Sequence, residues 1–92
     1  MDLETREEIG NKLVTYYNIF KNNDNVSNTN MALNIINFID FLINKNNIIK
    51  EITNFEEMAT DVISSIEVFV TEIDHPSLIN MINEKLNILK QL

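Results

Sequence analysis

The 92-residue chain has no cysteine and no tryptophan, one glycine and one proline. Without cysteine there are no disulfides, no thiol nucleophiles and no thiolate metal sites, and such a chain suits a reducing compartment. The lone Gly10, set inside an apolar periodic stretch, excludes a phosphate-cradling loop, which needs several glycines in one turn. Basic charge is scarce as well. Seven Lys and Arg stand against fourteen Asp and Glu, a formal charge of −7. Arg6, Lys12, Lys21, Lys45, Lys50, Lys85 and Lys90 are scattered and make no patch. Nucleic-acid affinity rests on cations that neutralise phosphates, so direct DNA or RNA binding is disfavoured.

Long apolar runs are missing too. None approaches the ~18 residues a membrane span needs. The opening Met1-Asp2-Leu3-Glu4 is acidic and lacks the basic and apolar regions of a secretory signal. The expectation is therefore a cytoplasmic protein, of the producing cell or of an infected host, with no membrane contact.

What the chain does have is apolar content in a helical rhythm. Hydrophobic residues make up 45% of it, enough to exclude compositional disorder, and the length fits one domain, 1–92. Polar clusters mark the breaks: 22–28, Lys45-Asn46-Asn47 and Asp74-His75-Pro76-Ser77. Between them apolar residues recur in steps of three and four, and period-two strand patterns are absent. The spacing predicts an all-α antiparallel bundle of about four helices, near 3–21, 29–44, 54–74 and 76–91. A short extra helical turn near 48–52, or a continuation of the second helix, accounts for Ile48, Ile49 and Ile52.

In the first predicted helix Ile9, Leu13, Tyr16 and Phe20 form one stripe, with Gly10, Val14 and Tyr17 beside it. Thr5 and Glu8 have capping-box spacing. Gly10 costs about 1 kcal/mol of helix propensity against alanine, which points to a neighbouring helix close by. The second helix carries Met31, Ile35, Phe38 and Leu42 as its seam, and Leu33, Ile36, Ile39, Phe41 and Ile43 cover most of the rest. So broad an apolar surface is either buried centrally or shared with a partner. In the third, Asn54 is a good N-cap with Glu57 three residues on, and Phe55, Met58, Val62, Ile66, Phe69 and Ile73 form the cleanest stripe. Pro76 opens the fourth, capped by Asp74 or His75. Its seam is Ile79, Ile82, Leu86 and Leu89, with Lys85 and Lys90 favoured toward the C-terminal end.

No constellation specifies a reaction, and the chain is not expected to be an enzyme. The single histidine, His75, lies between Asp74 and Ser77, but three side chains in one tight turn do not reach triad geometry. Capping of a helix N-terminus accounts for all three. Glu7-Glu8, Glu56-Glu57 and Glu57 with Asp61 are close carboxylates, yet neither Glu-x-x-His nor a calcium loop occurs. No metal and no cofactor is expected. A helix-turn-helix fails because its recognition helix would present Glu56, Glu57, Asp61 and Glu67 to phosphate.

Two surfaces remain as candidates. Glu57, Asp61, Ser64, Val68 and Glu72 lie along one strip opposite the Phe55–Phe69 seam, mixing charge, a hydroxyl and one apolar side chain as a binding rim does. An ordinary solvated face is the simpler account of the same residues. Leu33, Ile36, Phe41 and Ile43 are the surplus apolar residues of the second helix, either a homodimer surface or the centre of the bundle. The stretch Thr60 to Ile82, TDVISSIEVFVTEIDHPSLINMI, somewhat resembles the second helix and following turn of immunity proteins for nuclease colicins. Those are small acidic four-helix bundles that inhibit a basic nuclease by binding it. Asp74-His75-Pro76 loosely matches the family's Glu-His-Pro turn. The family's pair of tyrosines before a proline has no counterpart after Pro76. The likeness spans about a quarter of the chain and implies a binding role for this size, charge and architecture.

The sequence thus predicts a small acidic protein-binding module that regulates or inhibits a protein partner with a basic surface, of the immunity, antitoxin or viral- or phage-antagonist kind. The alternative is a structural or assembly subunit that dimerises or docks through its second helix.

Overall fold

The computed structural model describes residues 2–22 and 26–92, with side chains from Arg6 onward. The described residues form five helices: α1 (Asp2–Lys21), α2 (Asn28–Asn44), α3 (Asn46–Ile52), α4 (Phe55–Val70) and α5 (Pro76–Lys90). No strand occurs among the described residues. The expected all-α bundle is what the chain forms, and the turn near 48–52 is a separate short helix.

Local chemistry sets several boundaries. Ser27 accepts the Asn30 N–H at 3.2 Å and starts α2. Asn54 accepts the Glu57 N–H at 3.1 Å and starts α4, as its cap spacing predicts. The expected loop at 45–47 shrinks to one residue. Lys45, at φ −115° and ψ 18°, breaks the winding, and Asn46 joins α3 while donating its side-chain amide to the Ile43 carbonyl at 2.7 Å. The third predicted helix ends early, at Val70 and not near 74. Thr71, Glu72 and Ile73 bond back three residues, to Val68, Phe69 and Val70. This tighter winding releases the chain so that Ile73, 4% exposed, still turns into the core. His75 occupies the N-cap position of α5 without a side-chain cap bond. The side chain of Thr5, and with it the expected capping box, lies outside the described residues.

Side-chain pairs fix the directions. Tyr16 meets Phe41 at 4.9 Å between ring centroids, while Phe20, further along α1, sits beside Met31 and Ile35, so α1 and α2 are antiparallel. Leu13 and Val14 lie next to Thr53 and Asn54, Tyr17 reaches Asp61 and Phe20 meets Phe69, so α1 and α4 point the same way. The end of α5 (Leu89, Lys90) lies beside the start of α4 (Phe55, Ala59), making that pair antiparallel. The four long helices therefore alternate in direction, with α3 linking the second to the third. α2 packs most closely on α5 and also touches α1 and α3.

The core is apolar throughout, with no buried polar or charged residue among those described. Phe38, Ile39, Leu42, Val62, Ile66 and Ile82 are completely buried at its centre. Ion pairs tie the helices at the periphery: Arg6 with Glu51, Lys85 with Asp40 at 2.6 Å, and Lys90 with Glu67 at 3.5 Å. Exposed pairs of this kind contribute little, about 0–1 kcal/mol each.

Gly10 faces Ile52 of α3, but the close helix approach expected of it is not there. A methyl group there would meet only the Ile52 Cδ1 at 4.0 Å, an ordinary contact. Gly10→Ala is therefore expected to stabilise the fold by about 0.5–1 kcal/mol. Chemical denaturation checks this, and a destabilised variant would show that α1 and α3 pack more tightly than described.

Candidate protein interface

Among the described residues no group of His, Asp and Glu is arranged to hold a metal ion, and no helix is long and apolar enough to cross a membrane. Asp74, His75 and Ser77 are exposed around the start of α5.

The strip predicted on the third helix is exposed along its whole length. Glu57, Asp61, Ser64 and Val68 succeed one another on α4 at intervals of three and four, and Val68 is 62% exposed. Glu72 leaves the row, because α4 ends at Val70 and Glu72 belongs to the turn that follows. Glu57 and Asp61 line a cleft of about 420 Å³ between α1 and α4. Its other walls are Leu13, Val14, Tyr17 and Asn18 from α1, Thr53 and Asn54 from the junction, and Met58 from α4. Asp61 is held on the α1 side. The Tyr17 hydroxyl donates to its Oδ2 at 3.0 Å, and the Lys21 ammonium stands 3.5 Å away, itself over the Tyr17 ring at 5.2 Å. Glu57 has no ion-pair partner among the described residues.

The composition of this cleft follows from how the helices are loaded. α4 carries Glu56, Glu57, Asp61 and Glu67 and no base. Its counter-ions, Lys21 and Lys90, come from α1 and α5 and reach only Asp61 and Glu67. On α1 the second stripe is only partly taken up by the core. Val14 is 60% exposed, and Tyr17 is half-buried with its ring edge-on to Phe38 and its hydroxyl at Asp61. The cleft thus has an apolar floor of Leu13, Val14 and Met58 with carboxylates along one rim. Methionine at such a place adapts to partners of varied shape. The α4 strip alone does not reveal this floor. Its one sequence signal is the Gly10–Val14–Tyr17 stripe.

The α2 residues expected as a self-association surface are not together on the outside. Ile36 is 6% exposed, Phe41 is half-buried with its ring tilted against Tyr16 and Ile43 is half-buried, which leaves Leu33 as the exposed member of the four. Helix α2 is apolar nearly all round because α1, α3 and α5 cover it. A second groove, about 680 Å³, lies at the base of the bundle between α4 and the end of α5. It mixes Lys50 and Lys90 with Glu56 over Phe55, Ala59, Ile63 and Leu89, so its charge favours neither sign.

No family model matches the chain, and neither a curated protein nor a solved structure matches it significantly. The likeness of 60–82 to colicin immunity proteins rests on the residues of that segment alone.

Proposed function

We propose that this chain is a small acidic protein-binding module that regulates or inhibits a protein partner by covering a basic surface on it, with the α1–α4 cleft as the contact face. One observation supports the reading above all: the exposed Val14 and the half-buried Met58 share a concave surface with Glu57, a carboxylate that has no counter-ion in the described chain. Apolar area removed from water on binding contributes roughly 25 cal/mol per Å². Unmatched acids on the rim speed encounter with a cationic partner and select against anionic ones. The net charge of −7 acts in the same direction at longer range.

The test starts with affinity capture from the native host, mass-spectrometric identification and titration of the purified partner. Glu57→Lys is expected to weaken binding about tenfold at low salt and to flatten the dependence on ionic strength, as a lost rim charge does. Because Glu57 is exposed, the fold should tolerate the change. Wild-type affinity and wild-type salt slope in a folded variant would remove the proposal.

A further inference from the structure

The cleft also constrains what kind of element fills it, and we infer that it seats a cationic amphipathic helix of the partner protein. This inference rests on the binding role proposed above. The backbone is decisive. Past the first turn of α4, both long walls are helices whose N–H and C=O groups are bonded internally, and at the junction the Thr53 N–H donates to Ile49 while the Asn54 carbonyl accepts from Met58. The Asn54 side-chain oxygen is taken by the Glu57 N–H. An extended segment laid here would find no ladder of free backbone groups and would bury its own unpaired. A helix arrives with its backbone already satisfied and needs only side-chain complementarity.

The spacing agrees. Leu13 and Tyr17, like Glu57 and Asp61, stand one helical turn apart on walls that run in the same direction. Anchors at i and i+4 of a third helix match that interval, as helices seat their side chains in the grooves between others. Charge selects the sign of the occupant. Glu57 is unmatched, and Asp61 is already arranged to hold an ammonium group, that of Lys21. A second copy of the chain would bring the same acids against these, so self-association through this face is opposed.

The experiment uses the full chain and three synthetic helical peptides of equal length, read by calorimetry and by methyl NMR. The first carries Leu at i, i+4 and i+7 flanked by Lys; the second replaces Lys by Glu; the third is the first with a central proline. The first should bind at least tenfold more tightly than the other two and shift the Val14 and Met58 methyl signals. Its affinity should fall at least fivefold for Glu57→Lys and for Val14→Asn. Equal binding of the acidic or the proline-broken peptide, no binding of the first, or shifts that avoid Val14 and Met58 would overturn the inference. If the captured natural partner remains sensitive to Glu57→Lys while the peptides fail, the helical occupant is wrong and the binding role stands. If the partner too is insensitive, both fall.

Discussion

Phe38→Ala is expected to destabilise the fold by about 3–5 kcal/mol, the usual cost of emptying a buried phenylalanine site. Phe38 is fully buried on α2 and joins an aromatic cluster at the α1–α2 contact. Its ring stacks on Tyr16 at 6.2 Å with an interplanar angle of 9°, meets Tyr17 edge-on at 6.2 Å and lies 5.2 Å from Phe20. Such pairs contribute about 0.5–1.5 kcal/mol beyond the area they bury. Phe20 passes the contact on to Phe69 of α4 at 5.5 Å, so the cavity would open where three helices meet and little can collapse into it. A domain of this size is typically stable by only about 5–14 kcal/mol. The loss should therefore lower the melting temperature by roughly 15–30 °C. A loss below about 1 kcal/mol on chemical denaturation would mean that Phe38 is not central to the core.

That cluster shows what was legible in the sequence and what was not. The three-and-four rhythm marked the four long helices because it records which face each must bury, and the α2 seam of Met31, Ile35, Phe38 and Leu42 is buried as that rhythm requires. The Asn54 cap was equally readable, since a cap is a bond between neighbours in the chain. The break at Lys45 was not marked as a single residue. No glycine or proline stands there, and backbone angles outside the helical range carry no fixed residue signature. The early end of α4 was hidden for a different reason. Ile73 keeps the periodicity of the seam because it is buried, although it reaches the core from beyond the helix.

The candidate site divides along the same line. Glu57, Asp61, Ser64 and Val68 could be placed on one strip because helical geometry is local. That Asp61 receives the hydroxyl of Tyr17, 44 positions away, is a product of packing. The same packing separates Val14 from the core and sets it beside Met58. The α2 residues Ile36, Phe41 and Ile43 show the converse. Their apolar excess does not tell a buried centre from an exposed dimer face, and packing splits the set: Ile36 is buried, while Phe41 and Ile43 are only half-covered.

Val14→Asn separates the apolar floor from the charged rim. Val14 is 60% exposed, and asparagine has a helix propensity close to that of valine, so the stability of the free protein should change by less than about 0.5 kcal/mol. In a complex that closes over the cleft, the amide would be stripped of water without a partner bond, at a cost of about 1–3 kcal/mol. Titration of the captured partner against Val14→Asn should therefore show affinity reduced about fivefold to a hundredfold in a variant that melts as the wild type does. Wild-type affinity in that variant would place the contact face elsewhere and contradict the account.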